Sequence, residues 1–270
     1  MKAQYKALIL DTMLKEMRSK TLIFIFVATT ISIVLGHLVL STLNTYSGGG
    51  GEFSVAGVNI LSINFRILNS ISFIVAAVFG VSVFRSDFQN NIIYQYLAFP
   101  ISRIEYFFVR VFGTWLLVLA YFLYSYVLST VLFSFAFKKM ILSPNHILSF
   151  LILSLYLLIV IFISIFFSLL MNKISALFAT FLSCIIAAGG YGYYSAMAFK
   201  EYFVEMTPFK GIGLAFYLFF PRISFLDTES SHLLLNEVTT VNIGAQIAHL
   251  IIISGVYVYM ASYFIKKKDF

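Results

Sequence analysis

The chain has 270 residues, of which 61% are apolar and 11% charged, with 31 Phe and 17 Tyr. At a mean hydropathy of +0.96 it has too little polar side chain to clothe a water-soluble globule, and the composition points to an integral membrane protein. The net charge of +7 does not point to nucleic acid, because the basic residues stand at the ends of apolar runs rather than in a stripe interleaved with aromatics.

Residues 3–20, AQYKALILDTMLKEMRSK, place Ala3, Ala7, Leu10, Leu14 and Met17 at alternating spacings of four and three, with Lys6, Lys15, Arg18 and Lys20 mostly elsewhere. That pattern predicts an amphipathic interfacial helix whose cations can meet anionic headgroups, against the alternative of a merely solvated start. The following apolar run, 21–40, has the length of a span and no small-residue cleavage site after it, so it reads as a retained first span rather than a signal peptide. Five further spans are expected at about 65–84, 106–137, 147–171, 174–197 and 242–265. The third is long enough to tilt or to protrude from the bilayer.

Between the first two spans lies STLNTYSGGGGEFSVAGVN, read as a flexible polar linker; Gly48 to Gly51 lack the Lys and Ser/Thr that a phosphate-cradling loop requires. The segment 199–227 has an apolar stretch bounded by Pro208 and Pro221 that is too short to span. With six spans, the N-terminal segment, the 85–110 region, Lys173 and the C-terminal tail carry 12 of the 18 Lys and Arg on one side. The positive-inside rule then places both termini in the cytoplasm and makes 199–240 an external segment that dips into the outer leaflet. The expected fold is therefore an all-α membrane protein: an interfacial helix over 1–20, a six-span domain over 21–265 with a re-entrant or interfacial segment before the last span, and a tail at 266–270.

Chemistry-bearing residues are sparse. The single cysteine, Cys184, allows neither an intrachain disulfide nor a cysteine metal cluster. His37, His146, His232 and His249 show no ligand spacing, so no metal is expected. Ser183 has no nearby base in sequence, and the span interiors contain no acidic residue of the kind a proton- or sodium-coupled carrier keeps near mid-membrane. Any energy for transport is thus expected to enter from outside the chain. His249 and Gln246, one turn apart inside the last span, should face the bundle interior or a polar path. In AAGGYGYYSA, 187–196, the glycines suit close helix packing.

The feature that stands out is RSDFQNNIIYQYLAFPISR, 85–103, a polar insert between two apolar runs. Phe88, Ile92, Ile93, Tyr96 and Leu97 follow a helical stripe, Asp87, Gln89, Asn90, Asn91 and Gln95 fill the other positions, and Pro100 stops the pattern. This predicts a short cytoplasmic helix with one apolar face, although composition alone leaves a solvated loop on the membrane equally open.

Four features, taken in order, resemble type-2 ABC transporter permeases, the exporter-like class of six-span subunits that work with a separate ATPase. They are KALILDTMLKEMRSK before the first span, VFRSDFQNNIIYQYLAFPISRIEYFFVRVFG at 83–113 with its Leu-x-x-Pro-x-x-Arg element, FPRISFLD at 220–227, and the ending ASYFIKKKDF. Arg110 stands where many relatives have lysine, and 41–64 is poorly matched. The resemblance implies a homodimer or heterodimer of permeases in a bacterial or archaeal cytoplasmic membrane, docked on two ATPase subunits that bind ATP and Mg. It also implies that 86–99 is a coupling helix seated in an ATPase cleft. Asp87, Phe88, Asn91, Ile92, Gln95, Tyr96, Pro100 and Arg103 would form that site, with Phe88, Ile92 and Tyr96 in contact and Asp87 and Arg103 fixing the helix ends. The N-terminal helix, with Lys15 and Arg18, would lie at the membrane interface, within reach of the ATPase. The lipid bilayer and an extracytoplasmic protein are further partners, and the substrate-binding residues are unknown. Export of a substrate and transmission of mechanical work both fit this reading; a stand-alone secondary carrier or channel and an intramembrane enzyme, with Ser183 or His249 as its test positions, are the alternatives.

Overall fold

A computed structural model describes residues 2–18, 20–46, 54–55, 58–89, 101–137, 143–195, 197, 202–203, 207–235 and 243–267. Nine helices are described: α1 Lys2–Met17, α2 Lys20–Tyr46, α3 Ile60–Gln89, α4 Arg103–Phe137, α5 Pro144–Leu170, α6 Lys173–Tyr194, α7 Pro208–Phe219, α8 Ile223–Leu235 and α9 Ile243–Lys267. A minimal antiparallel hairpin, β1 Ser54–Val55 with β2 Val58–Asn59, lies between α2 and α3. Six helices, α2 to α6 and α9, are long and apolar enough to cross a membrane, and α7 and α8 form a pair bent by 79°. The chain is an all-α integral membrane protein.

Local chemistry explains where the helices begin. Ser102 and Glu105 form a reciprocal cap on α4: the Ser102 amide donates to Glu105 Oε2 at 2.8 Å and the Glu105 amide donates to Ser102 Oγ at 3.2 Å. Pro144 follows the extended residue Ser143 at the start of α5, where its missing N–H costs nothing. Asn172 caps α6 by accepting from the Ser175 amide at 2.9 Å, and Thr207 caps α7.

Helix α5 is the centre of the bundle and packs against α3, α4, α6, α8 and α9. Its closest neighbour is α3, and Gly80 sets that approach: a Cβ there would stand 2.8 Å from the Ser164 Cβ. Val160, Ile161, Ile163 and Ile165 of α5 are fully buried, as expected of a helix that is apolar all round. By contrast α2 and α9 bury little of their surface and form the periphery.

Three expectations are adjusted. The resemblance implies a helix over 86–99, whereas the spanning helix α3 itself continues to Gln89, since no Gly or Pro interrupts 81–89; residues 90–99 lie outside the described residues. The connection after the first span is shorter than its composition suggests, because α2 runs to Tyr46 and the hairpin precedes α3. In α1 the predicted apolar stripe is real but faces outward: Leu10, Leu14 and Met17 are about half exposed, while Leu8 and Thr12 are buried against the bundle. An interfacial helix presents its apolar side chains to lipid in this way.

The bent pair enters the bundle. The Tyr194 hydroxyl donates to the Lys210 carbonyl at 3.0 Å near the end of α6, whereas Phe220 at the corner packs 5.7 Å, ring to ring, from Tyr257 in the middle of α9. Helix α7 therefore runs inward from one end of the bundle, and α8 leaves the corner at a steep angle to pack against α5.

Candidate functional site

Charge concentrates at the end of the bundle where α3 ends and α4 begins. Asp87, in the last turn of α3, is fully buried and faces two cations. Lys15 Nζ of α1 donates to its Oδ1 at 2.7 Å, and Arg110 Nη2 of α4 lies 2.9 Å from its Oδ2, in an ion pair too bent for an aligned hydrogen bond. The Tyr106 hydroxyl donates to that same oxygen and accepts from Arg110 Nε at 3.3 Å. Arg110 Nη1 donates to Thr12 Oγ1 at 2.8 Å and to Asp11 Oδ2 at 3.2 Å. The arginine is 1% exposed, and burying a charge so fully requires this density of partners.

Helical spacing builds the knot. Asp11 and Lys15 are four apart on α1, Tyr106 and Arg110 four apart on α4, so each pair shares a face. Gly113 lets those faces meet: a Cβ there would lie 3.0 Å from the Thr12 Cβ. Beside it the Tyr5 hydroxyl donates to Glu105 Oε1 at 2.7 Å, a bond that holds the phenol proton and raises its pKa. Burial raises the Glu16 carboxyl above its ordinary range, with Lys15 partly opposing the shift.

The two arginines that bound the insert are anchored as well. Arg85 Nη1 donates to the Met171 carbonyl at 2.6 Å, at the end of α5, and Arg103 Nη1 donates to the Lys266 carbonyl at 3.1 Å, at the end of α9. Cations suit the carbonyl-bearing ends of helices. Residues 85, 87 and 103 thus tie the roots of the insert to α1, α4, α5 and α9. These bonds also put α1 and the end of α9 at the same end of the bundle.

Of the residues proposed from sequence, Asp87, Arg103 and Lys15 come together at this end, with Asp87 inside the bundle rather than on a docking face. Arg18 is exposed one turn beyond Leu14. Phe88 lies on α3 with its side chain outside the described residues; Asn91, Ile92, Gln95, Tyr96 and Pro100 lie outside them entirely. Sequence reading missed Arg110, Tyr106, Asp11, Thr12 and Arg85. The available signal was charge economy: a buried arginine in so apolar a chain needs an acid, and Asp87 lies near its end of the bundle.

At the opposite end, Gln246 and His249 both turn to the bent pair. Gln246 Oε1 accepts from Arg222 Nη1 at 2.9 Å, and His249 Nε2 is 2.9 Å from the Leu218 carbonyl. The Arg222 guanidinium also stacks 3.8 Å over the Tyr217 ring. Asp227 of α8 accepts from Asn69 of α3 at 2.5 Å, which brings a carboxylate of the segment expected to dip into the outer leaflet against the bundle wall. The Ser183 hydroxyl donates to the Ala179 carbonyl of its own helix. Among the described residues no three His, Cys, Asp or Glu side chains converge as a cation site.

These helices and this buried charge knot define a helical integral membrane protein with an ionically braced connection between two of its apolar helices. No protein-family model matches the chain, and no curated protein matches it.

Proposed function

We propose that the chain is the membrane permease subunit of an ATP-driven ABC transporter, in which ATP hydrolysis by a separate ATPase drives export of a substrate or mechanical work across the membrane. The observation that carries this reading is the bracing of the 85–103 insert, whose roots at Arg85, Asp87 and Arg103 are each bonded to a different part of the bundle. A connection pulled by a moving partner transmits displacement only if its ends are stiffly held, and packed helices respond by shifting between discrete arrangements.

In this reading the interfacial helix α1 and the insert face the cytoplasm, two ATPase subunits carry ATP and Mg, and a second permease chain completes the complex. Phe88, Ile92 and Tyr96 contact the ATPase, while Asp87, Arg110 and Lys15 convert motion of the insert into motion of α1 and α4 together. Enrichment of Lys and Arg at this end supports its cytoplasmic placement.

Co-purification with candidate ATPases, followed by ATP turnover with Phe88→Ala and Tyr96→Ala, tests the proposal. Loss of docking or of stimulated turnover is expected; a complex whose docking, turnover and transport are all unchanged would overturn the assignment of the insert.

A further inference from the structure

At the end of the bundle opposite α1, helices α6 and α7 line an open groove of about 550 Å³, within the size range of small-ligand sites. Its floor is made of glycines. A Cβ at Gly190 would stand 2.6 Å from the Gly213 carbonyl oxygen, so the two backbones touch, whereas a Cβ at Gly189 would meet nothing within 4 Å. Ile186, Phe209 and Ile212 form apolar walls. At the mouth, Lys210 places its ammonium 5.7 Å from the Tyr193 ring centroid, and among the described residues no carboxylate lies within ion-pair distance of it.

The shape and polarity suit one kind of occupant. From Ile186 to Tyr193 the groove follows α6 for about 11 Å, most of the roughly 15 Å depth of a single leaflet. Ile186 and Ile212 stand deeper in the bundle than Lys210, which is level with the end of α6, the depth at which a spanning helix meets lipid phosphates. Lysine binds phosphate as a point charge, and the neighbouring tyrosine ring suits the interface. We propose that this groove holds an anionic phospholipid from the leaflet opposite α1, one acyl chain lying over Gly189 and the phosphate meeting Lys210. The inference is independent of coupling to any ATPase.

The full-length chain reconstituted in nanodiscs of equal phosphatidylglycerol and phosphatidylethanolamine, then re-extracted, provides the test, with retained lipid counted by mass spectrometry. The expected result is retention of phosphatidylglycerol in preference to phosphatidylethanolamine. Lys210→Ala should lower the retained phosphatidylglycerol about fivefold, the value of one lysine at an anionic surface. Gly189→Leu, whose side chain has room to occupy the groove, should abolish retention while leaving the melting temperature near that of the parent. Unchanged retention in both variants would overturn the proposal, as would an equal loss of both lipids in Lys210→Ala. Displacement of the lipid by inorganic phosphate alone would also overturn it, since the acyl chain would then contribute nothing. If a second copy of the chain fills the groove, the parent retains no lipid and Gly189→Leu changes the oligomeric state, which refutes a lipid occupant.

Discussion

Arg110 and Asp87 are withdrawn from solvent together, so each depends on the other and on Lys15, Asp11, Thr12 and Tyr106. Removing one member of a buried pair strands the other in low dielectric, at a cost of about 3–5 kcal/mol. Asp87→Ala and Arg110→Ala should each lose roughly that much in chemical unfolding, and the double variant should lose clearly less than the sum. Additive losses would mean that the two groups do not act as a unit. Arg110→Lys should be milder than Arg110→Ala, because an ammonium keeps the charge but cannot reach Asp87, Asp11 and Thr12 at once. Glu16 supplies one part of the pH dependence, opposite in sign to that of Glu105, whose carboxyl is held below its ordinary range by hydrogen bonds from the Ser102 amide and the Tyr5 hydroxyl. Its pKa is raised in the folded protein, so the folded state binds the proton more tightly than the unfolded chain. The Glu16 contribution to stability should rise as pH falls through that raised pKa and level off below the ordinary carboxylate value of 4.5. Glu16→Gln should flatten this part of the unfolding profile; an unaltered slope would assign it to another group.

Close backbone approach governs the elements. Gly80 holds α3 against α5, and Gly113 holds α1 against α4, with a hypothetical Cβ 2.8 and 3.0 Å from its neighbour respectively. Gly80→Ala forces the α3–α5 contact apart and should cost about 1–3 kcal/mol of stability. Gly36→Ala meets nothing within 4 Å and should stabilise α2 by about 0.5–1 kcal/mol, through lower backbone entropy in the unfolded chain. Thermal melts of the two variants moving in the same direction would refute the claim that packing, rather than propensity, decides these positions. The sequence already marked 187–196 for close packing, and Gly190 fulfils it against Gly213. It could not reveal that Gly189, one residue earlier, lines an open groove, because that depends on the angle at which α7 crosses.

For the whole molecule, the bonds of Lys15 to Asp87 and of Arg103 to the Lys266 carbonyl put the first helix and the end of the last on one side, and residues 202–203 precede α7 on the other. Single cysteines introduced in a Cys184→Ser background at Arg18, Lys267 and Phe203 test this arrangement. A membrane-impermeant thiol reagent on intact cells should label the Phe203 site and spare the other two until the membrane is opened. Labelling of only one of Arg18 and Lys267 in intact cells would break the six-span topology. The even number of long apolar helices and the break before the last of them were legible in advance, since apolar length and the prolines at 208 and 221 report on the local cost of placing backbone in a bilayer.

By itself the sequence determined that this is a helical membrane protein, where its six long apolar helices lie, that the apolar stretch of 199–227 between Pro208 and Pro221 is too short for an ordinary span, and that 85–103 is exceptional. Each of these follows from free energies that neighbouring residues impose on one another or on the bilayer. Only the tertiary structure decided that Asp87 is an internal anchor, that Arg110 is its partner, that Lys15 turns inward, and that Gln246 and His249 clasp the bent pair. Those pairings join residues 23 to 95 positions apart, such as Asp87 with Arg110 and Lys15 with Arg110 about one carboxylate. They depend on how each helix is rotated about its axis, which is set by the packing of all its neighbours rather than by its own pattern.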